Sequence, residues 1–151
     1  MQIGYIGLGK MGKNMVLRLL EHNIAVVAWN RSPEPREEVR KAGANCTETV
    51  EDLIKVLPAP RIVWLMLPSG EVTDQMLQKI APLLSKGDLV VDGANAFYKD
   101  SVRRKEELKK RGVHFVDVGV SGGPTGARNG ACLMIGGETT DIKDLMPIIE
   151  A

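Results

Sequence analysis

Cysteine is rare in this 151-residue chain: there are only Cys46 and Cys132, with no CxxC spacing and no clustered histidine beside them. That excludes a disulfide framework or a thiolate–imidazole metal site as the source of stability, and both cysteines read as reduced, small core residues. None is needed, because a domain of this length buries roughly 70% of its unfolded surface and can build its own core. Long apolar runs are missing too. No segment approaches the ~20 residues of a membrane span, and no basic leader precedes the first short apolar run, so a cytoplasmic protein without a membrane partner is expected. Nor does one charge dominate: 20 Lys and Arg stand against 19 Asp and Glu, a net charge of +1. The one basic cluster, Arg103, Arg104, Lys105, Lys109, Lys110 and Arg111, alternates with Glu106 and Glu107 at helical spacing. It reads as a solvated helix face, and no nucleic-acid partner is expected.

What the chain does have is a regular alternation of short apolar runs and amphipathic stretches. Strands are expected over 3–6, 24–29, 61–67, 88–91, 114–120 and 131–135, and helices over 11–22, 34–42, 49–56, 72–84, 99–111 and 141–150. A glycine-rich loop is expected over 121–130. Repeats and low-complexity linkers are absent, and Pro58-Ala59-Pro60 is too short to separate domains. Continuously apolar strands separated by helices belong to a parallel sheet covered on both faces. The expected fold class is therefore α/β, doubly wound, with a mostly parallel sheet, and residues 1–151 form one domain.

Between the first strand and first helix lies Gly7-Leu8-Gly9-Lys10-Met11-Gly12. In this context Gly7 permits a tight turn, Gly9 lets backbone approach a pyrophosphate, and Gly12 lets the helix pack against the strand. The helix N-terminus then offers free N–H groups and a partial positive charge to the phosphates. This is the dinucleotide-binding turn of a Rossmann-type domain. Where NAD-binding versions place an acidic residue for the ribose hydroxyl, the second strand here ends in Asn30-Arg31-Ser32. A guanidinium grips a 2′-phosphate that a carboxylate would repel, so NADP is expected over NAD; the alternative is that Arg31 is an ordinary surface charge. Met66 and Leu67, at the end of the third expected strand, either flank the cofactor or belong to the core.

Further segments narrow the reading. GYIGLGKMG, WNRS, VVDGANAFYKDSVRR (90–104) and FVDVGVSGGPTGARNGACLMIGG (115–137) together resemble the amino-terminal domain of the decarboxylating 6-phosphogluconate dehydrogenases, members of the β-hydroxyacid dehydrogenase superfamily. The resemblance runs through essentially the whole chain; Ala94 and Ala96 depart from the Gly and Ser frequent in that family. It implies that Asn95 sits beside the nicotinamide and bonds a substrate hydroxyl, and that Ser121, Gly122 and Gly123 receive the carboxylate or adjacent hydroxyl of 6-phosphogluconate. Read from the residues alone, Asn95 could equally shape its own loop and Ser121-Gly122-Gly123 form a flexible strand-exit turn.

The resemblance also implies what to look for elsewhere. The family's general base, a lysine, and general acid, a glutamate, lie on a carboxy-terminal helical domain beyond residue 151, and the family forms homodimers or larger homo-oligomers through it. No substitute is expected here: Lys10 and Lys13 lie at the glycine turn, Lys99 begins an exposed helix, and His22 and His114 have no carboxylate partner in view. The chain is thus expected to be the cofactor-binding part of an oxidative decarboxylase of 6-phosphogluconate, inactive by itself. Two alternatives stay open: a dehydrogenase of a small β-hydroxyacid such as 3-hydroxyisobutyrate, and a dinucleotide-binding module without catalysis.

Overall fold

The computed structural model describes all residues from 1 to 151. Seven strands, β1 (Gln2–Ile6), β2 (Ala25–Trp29), β3 (Asn45–Cys46), β4 (Ile62–Leu65), β5 (Leu89–Asp92), β6 (His114–Ser121) and β7 (Cys132–Gly136), are joined by helices. The helices are α1 (Lys10–Glu21), α2 (Pro33–Lys41), α3 (Val50–Val56), α4 (Glu71–Ile80), α5 (Tyr98–Lys109), α6 (Gly123–Asn129) and α7 (Thr139–Ile149). The strands form one sheet in the order β3-β2-β1-β4-β5-β6-β7. All neighbours run parallel except β6 and β7, which are antiparallel.

Alternation along the strands divides the apolar residues into two cores. Ile3, Tyr5, Val26, Ala28, Trp64, Val91, Val116 and Val118 face one side, against Val16 and Leu19 of α1, Val39 of α2, Ala127 of α6 and Leu145 of α7. Ile6, Val27, Val63, Leu65, Val90 and Phe115 face the other, against Leu53 of α3, Leu77 and Ile80 of α4 and Leu108 of α5. A strand buried on both faces has no polar side to show, which is why the runs read as continuous rather than alternating. Tyr5 and Trp64 stack nearly parallel on adjacent strands, 6.2 Å between centroids. The buried Tyr5 hydroxyl donates to Met15 Sδ at 3.3 Å, and burial pushes its pKa far up.

The expected elements are all present, with boundaries shifted by a few residues. Four readings need correction. Most of the expected loop over 121–130 is helix α6: Gly122 and Gly123, both at positive φ, turn the chain, and Pro124 starts the helix. Its stability is tertiary, since Ala127 is buried against α1 and Arg128 pairs with Glu21 of α1. The two-residue edge strand β3 is too short to carry a periodicity. Cys132 is exposed on the edge strand β7 rather than in the core, and Cys46 is only half-buried; both are free thiols. His114 does have a carboxylate partner, Asp141 Oδ1 at 2.8 Å from Nδ1, brought there by α7 folding back beside β6. No helix is long and apolar enough to cross a membrane.

At the amino edge of the sheet, the fully buried Asp88 joins the starts of β4 and β5. It accepts from the Arg61 amide at 2.7 Å, the Ser85 amide at 2.8 Å and Arg61 Nη1 at 3.0 Å. Asp88→Ala strands two amides and a partly buried guanidinium, and is expected to lower stability by about 3 kcal/mol. A urea midpoint equal to that of the parent chain would rule out this role.

Candidate functional site

The sheet order places β1 beside β4, and their following helices leave toward opposite faces. The crevice that this reversal opens at the carboxyl ends of the strands is where open α/β sheets bind ligands. Met66 N donates to Ile6 O at 2.8 Å, so the two strand ends are held side by side.

The glycine turn occupies one wall of this crevice. Gly7 has φ +102°, and a Cβ there would stand 2.3 Å from Met66 O. A Cβ on Gly12 would stand 2.0 Å from Gly7 O, so only glycine lets α1 close onto β1. Gly9 differs: it has ordinary φ, and the position a Cβ would take has nothing within 4 Å. That open space lies at the N-cap of α1, where the first amides, Lys10, Met11 and Gly12, have no acceptor inside the helix. An anion the size of a pyrophosphate fits that cradle in charge and in room. Leu8 turns its side chain into the core, and its amide is already taken by Asn30 Oδ1 at 2.9 Å.

Asn30 therefore ties the end of β2 to the glycine turn, and its Nδ2 donates to Ser32 O at 3.1 Å. Arg31 and Ser32 are exposed just beyond it. No carboxylate pairs with Arg31: among the acidic residues of α2, Glu37 pairs with Arg40 and Glu38 with Lys13, while Glu34 makes no ion pair. Arg36, by contrast, is buried and committed to Thr47 O and Glu48. One free guanidinium thus stands at the end of β2.

The other wall is built from the ends of β4, β5 and β6. Met66 and Leu67 are half-buried and pack against opposite cores, so each has a core role while flanking the crevice. Gly93 lets the end of β5 lie close to Trp64, with a Cβ position 2.7 Å from Trp64 Nε1. Asn95 has φ +54° and is exposed, yet its carboxamide is already engaged: Oδ1 accepts from Val120 N at 2.7 Å and Nδ2 donates to Val120 O at 3.1 Å. One N–H of Asn95 is left over. Ser121, Gly122 and Gly123 follow directly and are exposed at the mouth of the crevice. The structure thus brings Asn95 and Ser121 together on one wall and Gly7–Gly12 with Asn30–Ser32 on the other.

Behind Asn95 lies a cluster that the charge pattern concealed. Arg104, read as part of a solvated face, is 1% exposed. Its Nη1 donates to Asp92 Oδ2 at 2.9 Å, its Nε to Asp74 Oδ1 at 2.8 Å and its Nη2 to Gly70 O at 3.2 Å. Burial pushes the Asp92 carboxyl up, against the pull of the Ala94 amide and Arg104. Burial would raise Asp74 too, but hydrogen bonds from Arg104 and Arg103 outweigh it and hold that carboxyl below its usual range. The signal was present in the spacing: Ser101, Arg104 and Leu108 are the buried positions of α5, one stripe of a helix.

The sheet order, the crevice and the glycine cradle define a Rossmann-type dinucleotide-binding domain. The profile of the NAD binding domain of 6-phosphogluconate dehydrogenase matches residues 2–151, and the chain belongs to that family. It is 41% identical over 154 residues to the decarboxylating 6-phosphogluconate dehydrogenase of Chlamydia muridarum, covering 99% of this chain and 32% of that protein. It is 40% identical over 154 residues to the NADP(+)-dependent, decarboxylating 6-phosphogluconate dehydrogenase of Bacillus subtilis, covering 99% of this chain and 33% of the relative. Among solved structures, Plasmodium falciparum 6-phosphogluconate dehydrogenase, determined apo, with NADP+ and with 6-phosphogluconate, superposes with a TM-score of 0.92 at 34% identity, over 99% of this chain and 33% of that one. The chain spans a third to a half of the length of the curated relatives it matches.

Two of the glycines of the turn, Gly9 and Gly12, are expected to separate by experiment. Gly12→Ala, with its methyl driven into Gly7 O, should lower stability by roughly 3 kcal/mol. Gly9→Ala should lower it by about 1 kcal/mol or less while weakening dinucleotide binding at least ~10-fold. Equal melting temperatures for the two variants would contradict this division.

Proposed function

We propose that this chain is the NADP-binding part of an oxidative decarboxylase that converts 6-phosphogluconate to ribulose 5-phosphate and CO2. The observation that carries the cofactor choice is the unpaired Arg31 at the end of β2, where an acidic residue would be needed to favour NAD. A guanidinium free of carboxylates binds a 2′-phosphate bidentately, and Ser32 can add a hydrogen bond. Gly9 and the first amides of α1 receive the pyrophosphate, and Met66 and Leu67 flank the bound cofactor. When bound, the nicotinamide accepts a hydride from C3 of the substrate.

In this reading the chain's own contribution is placement. Asn95 offers its one remaining N–H to a substrate hydroxyl, while its other contacts fix it to Val120. Ser121 supplies a hydroxyl, and Gly122 and Gly123 supply backbone N–H groups to the carboxylate or adjacent hydroxyl. Holding C3 against the cofactor in one orientation is an effect of proximity, which can account for a large share of a barrier. Oxidation at C3 gives a β-keto acid that loses CO2 through its own carbonyl. The lysine base and glutamate acid come from a helical domain outside these residues, as in the dehydrogenases that the chain resembles. Two relatives at about 40% identity, each described as a decarboxylating 6-phosphogluconate dehydrogenase, support the substrate choice.

Calorimetric titration tests the cofactor. The chain is expected to bind NADP+ more tightly than NAD+, and Arg31→Ala to weaken NADP+ by at least ~10-fold with NAD+ unchanged. Tighter NAD+ binding would overturn the choice. For the substrate, protein that includes the helical domain should reduce NADP+ with 6-phosphogluconate and release CO2; turnover of 3-hydroxyisobutyrate instead would assign it to the small β-hydroxyacid dehydrogenases.

A further inference from the structure

Three loops line the Asn95 wall of the crevice, each following a different strand, and a continuous series of hydrogen bonds runs through them. It begins at Gly70 O, in the loop between β4 and α4, which accepts from Arg104 Nη2 at 3.2 Å. Arg104 Nη1 passes it to Asp92 Oδ2 at 2.9 Å, and Asp92 Oδ1 accepts from the Ala94 amide at 3.0 Å in the loop after β5. The next residue, Asn95, clasps both backbone groups of Val120, immediately before Ser121, which ends β6 and opens into the loop after it. The Gly7 wall is held separately, by Asn30 on Leu8 and Ser32.

Arg104 joins the loop after β4, at Gly70 O, to the end of β5, at Asp92, and a guanidinium suits that task because its donors leave in fixed directions. Stability alone does not require it. An apolar side chain packed among apolar partners serves a buried site at least as well as an ion pair, but it would leave Gly70 O without its donor and Asp92 without its cation, while Asp74 would keep Arg103. We propose that Arg104, acting through Asp92, is a positioning residue that sets the loops after β4, β5 and β6 as one unit, so that Asn95 and Ser121 meet the nicotinamide end of the cofactor in a fixed arrangement. It touches neither cofactor nor substrate. The inference rests on the dinucleotide reading above and adds to it a division of the crevice into two independently held halves.

The test is an amide NMR titration of the whole chain with NADP+ and with 2′,5′-ADP, which lacks the nicotinamide. In the parent chain both ligands should shift the amides of Gly7 to Gly12 and Arg31, and only NADP+ should shift those of Ala94, Asn95 and Ser121. Arg104→Lys keeps a buried cation but loses the fork. It should leave 2′,5′-ADP affinity within about twofold while removing the NADP+ response of Asn95 and Ser121. Asp92→Asn, nearly isosteric and able to keep the Ala94 contact, should reduce the same response and serves where the lysine variant does not fold. An unchanged response in the variants would overturn the proposal. So would loss of the folded spectrum in both, which would make Arg104 a stability residue only. A parent chain whose glycine turn responds while Asn95 and Ser121 do not would overturn it and leave the dinucleotide reading standing. No response of the glycine turn to either ligand would overturn both.

Discussion

Backbone from three segments converges at Gly7 with no room for a side chain on either of two glycines. The end of β1, the first turn of α1 and the end of β4 approach so closely that a methyl on Gly7 or Gly12 would overlap a carbonyl oxygen. Everything on the binding edge follows from that approach. It aims the axis of α1 across the crevice, so that unpaired amides face the space beside Gly9. It keeps β1 and β4 in register where the connections diverge to opposite faces of the sheet. It also brings Leu8 N within reach of Asn30, which fixes where Arg31 emerges.

Much of this was legible in the chain because the relevant signals are local. A glycine at a fixed offset from an apolar run reports a backbone that must turn, and the strands announce burial on both faces by their unbroken apolar composition. The position of Arg31 was legible for the same reason: it lies two residues past the strand. What stayed hidden depends on partners far away in sequence. Arg104 looked like its neighbours Arg103 and Lys105 because charge counting ignores which side of a helix a residue occupies, and its partners Asp74 and Asp92 come from other elements. Helix α6 was masked by its glycines, since its order comes from packing against α1 rather than from propensity. The clasp of Asn95 on Val120 joins two strands whose adjacency only the sheet order reveals.

The charge economy of the crevice is local as well. With a net charge of +1 the chain has no long-range field to draw an anionic ligand. In the proposed reading, its attraction for phosphate comes from helix amides and one unpaired guanidinium, contacts that act over a few ångströms and survive the screening of ordinary salt better than a diffuse basic surface would. In α2, Glu37 is paired with Arg40 and Glu38 with Lys13, Glu34 is unpaired, and Arg31 itself pairs with none of them.

The sheet order also governs how the chain reaches its native state. Of these seven strands β1 is made first, yet it lies inside the sheet and must pair on both sides. β2 follows soon after, but β4 cannot arrive until α2, β3 and α3 have been made. Until then one edge of β1 has no partner. Pairing between parallel strands distant in sequence is slow, because the loop between them must close before any contact rewards it. The nascent chain therefore passes through a stage in which one edge of β1 is open to the wrong neighbour, and arrival of β4 protects yield as much as it builds the crevice.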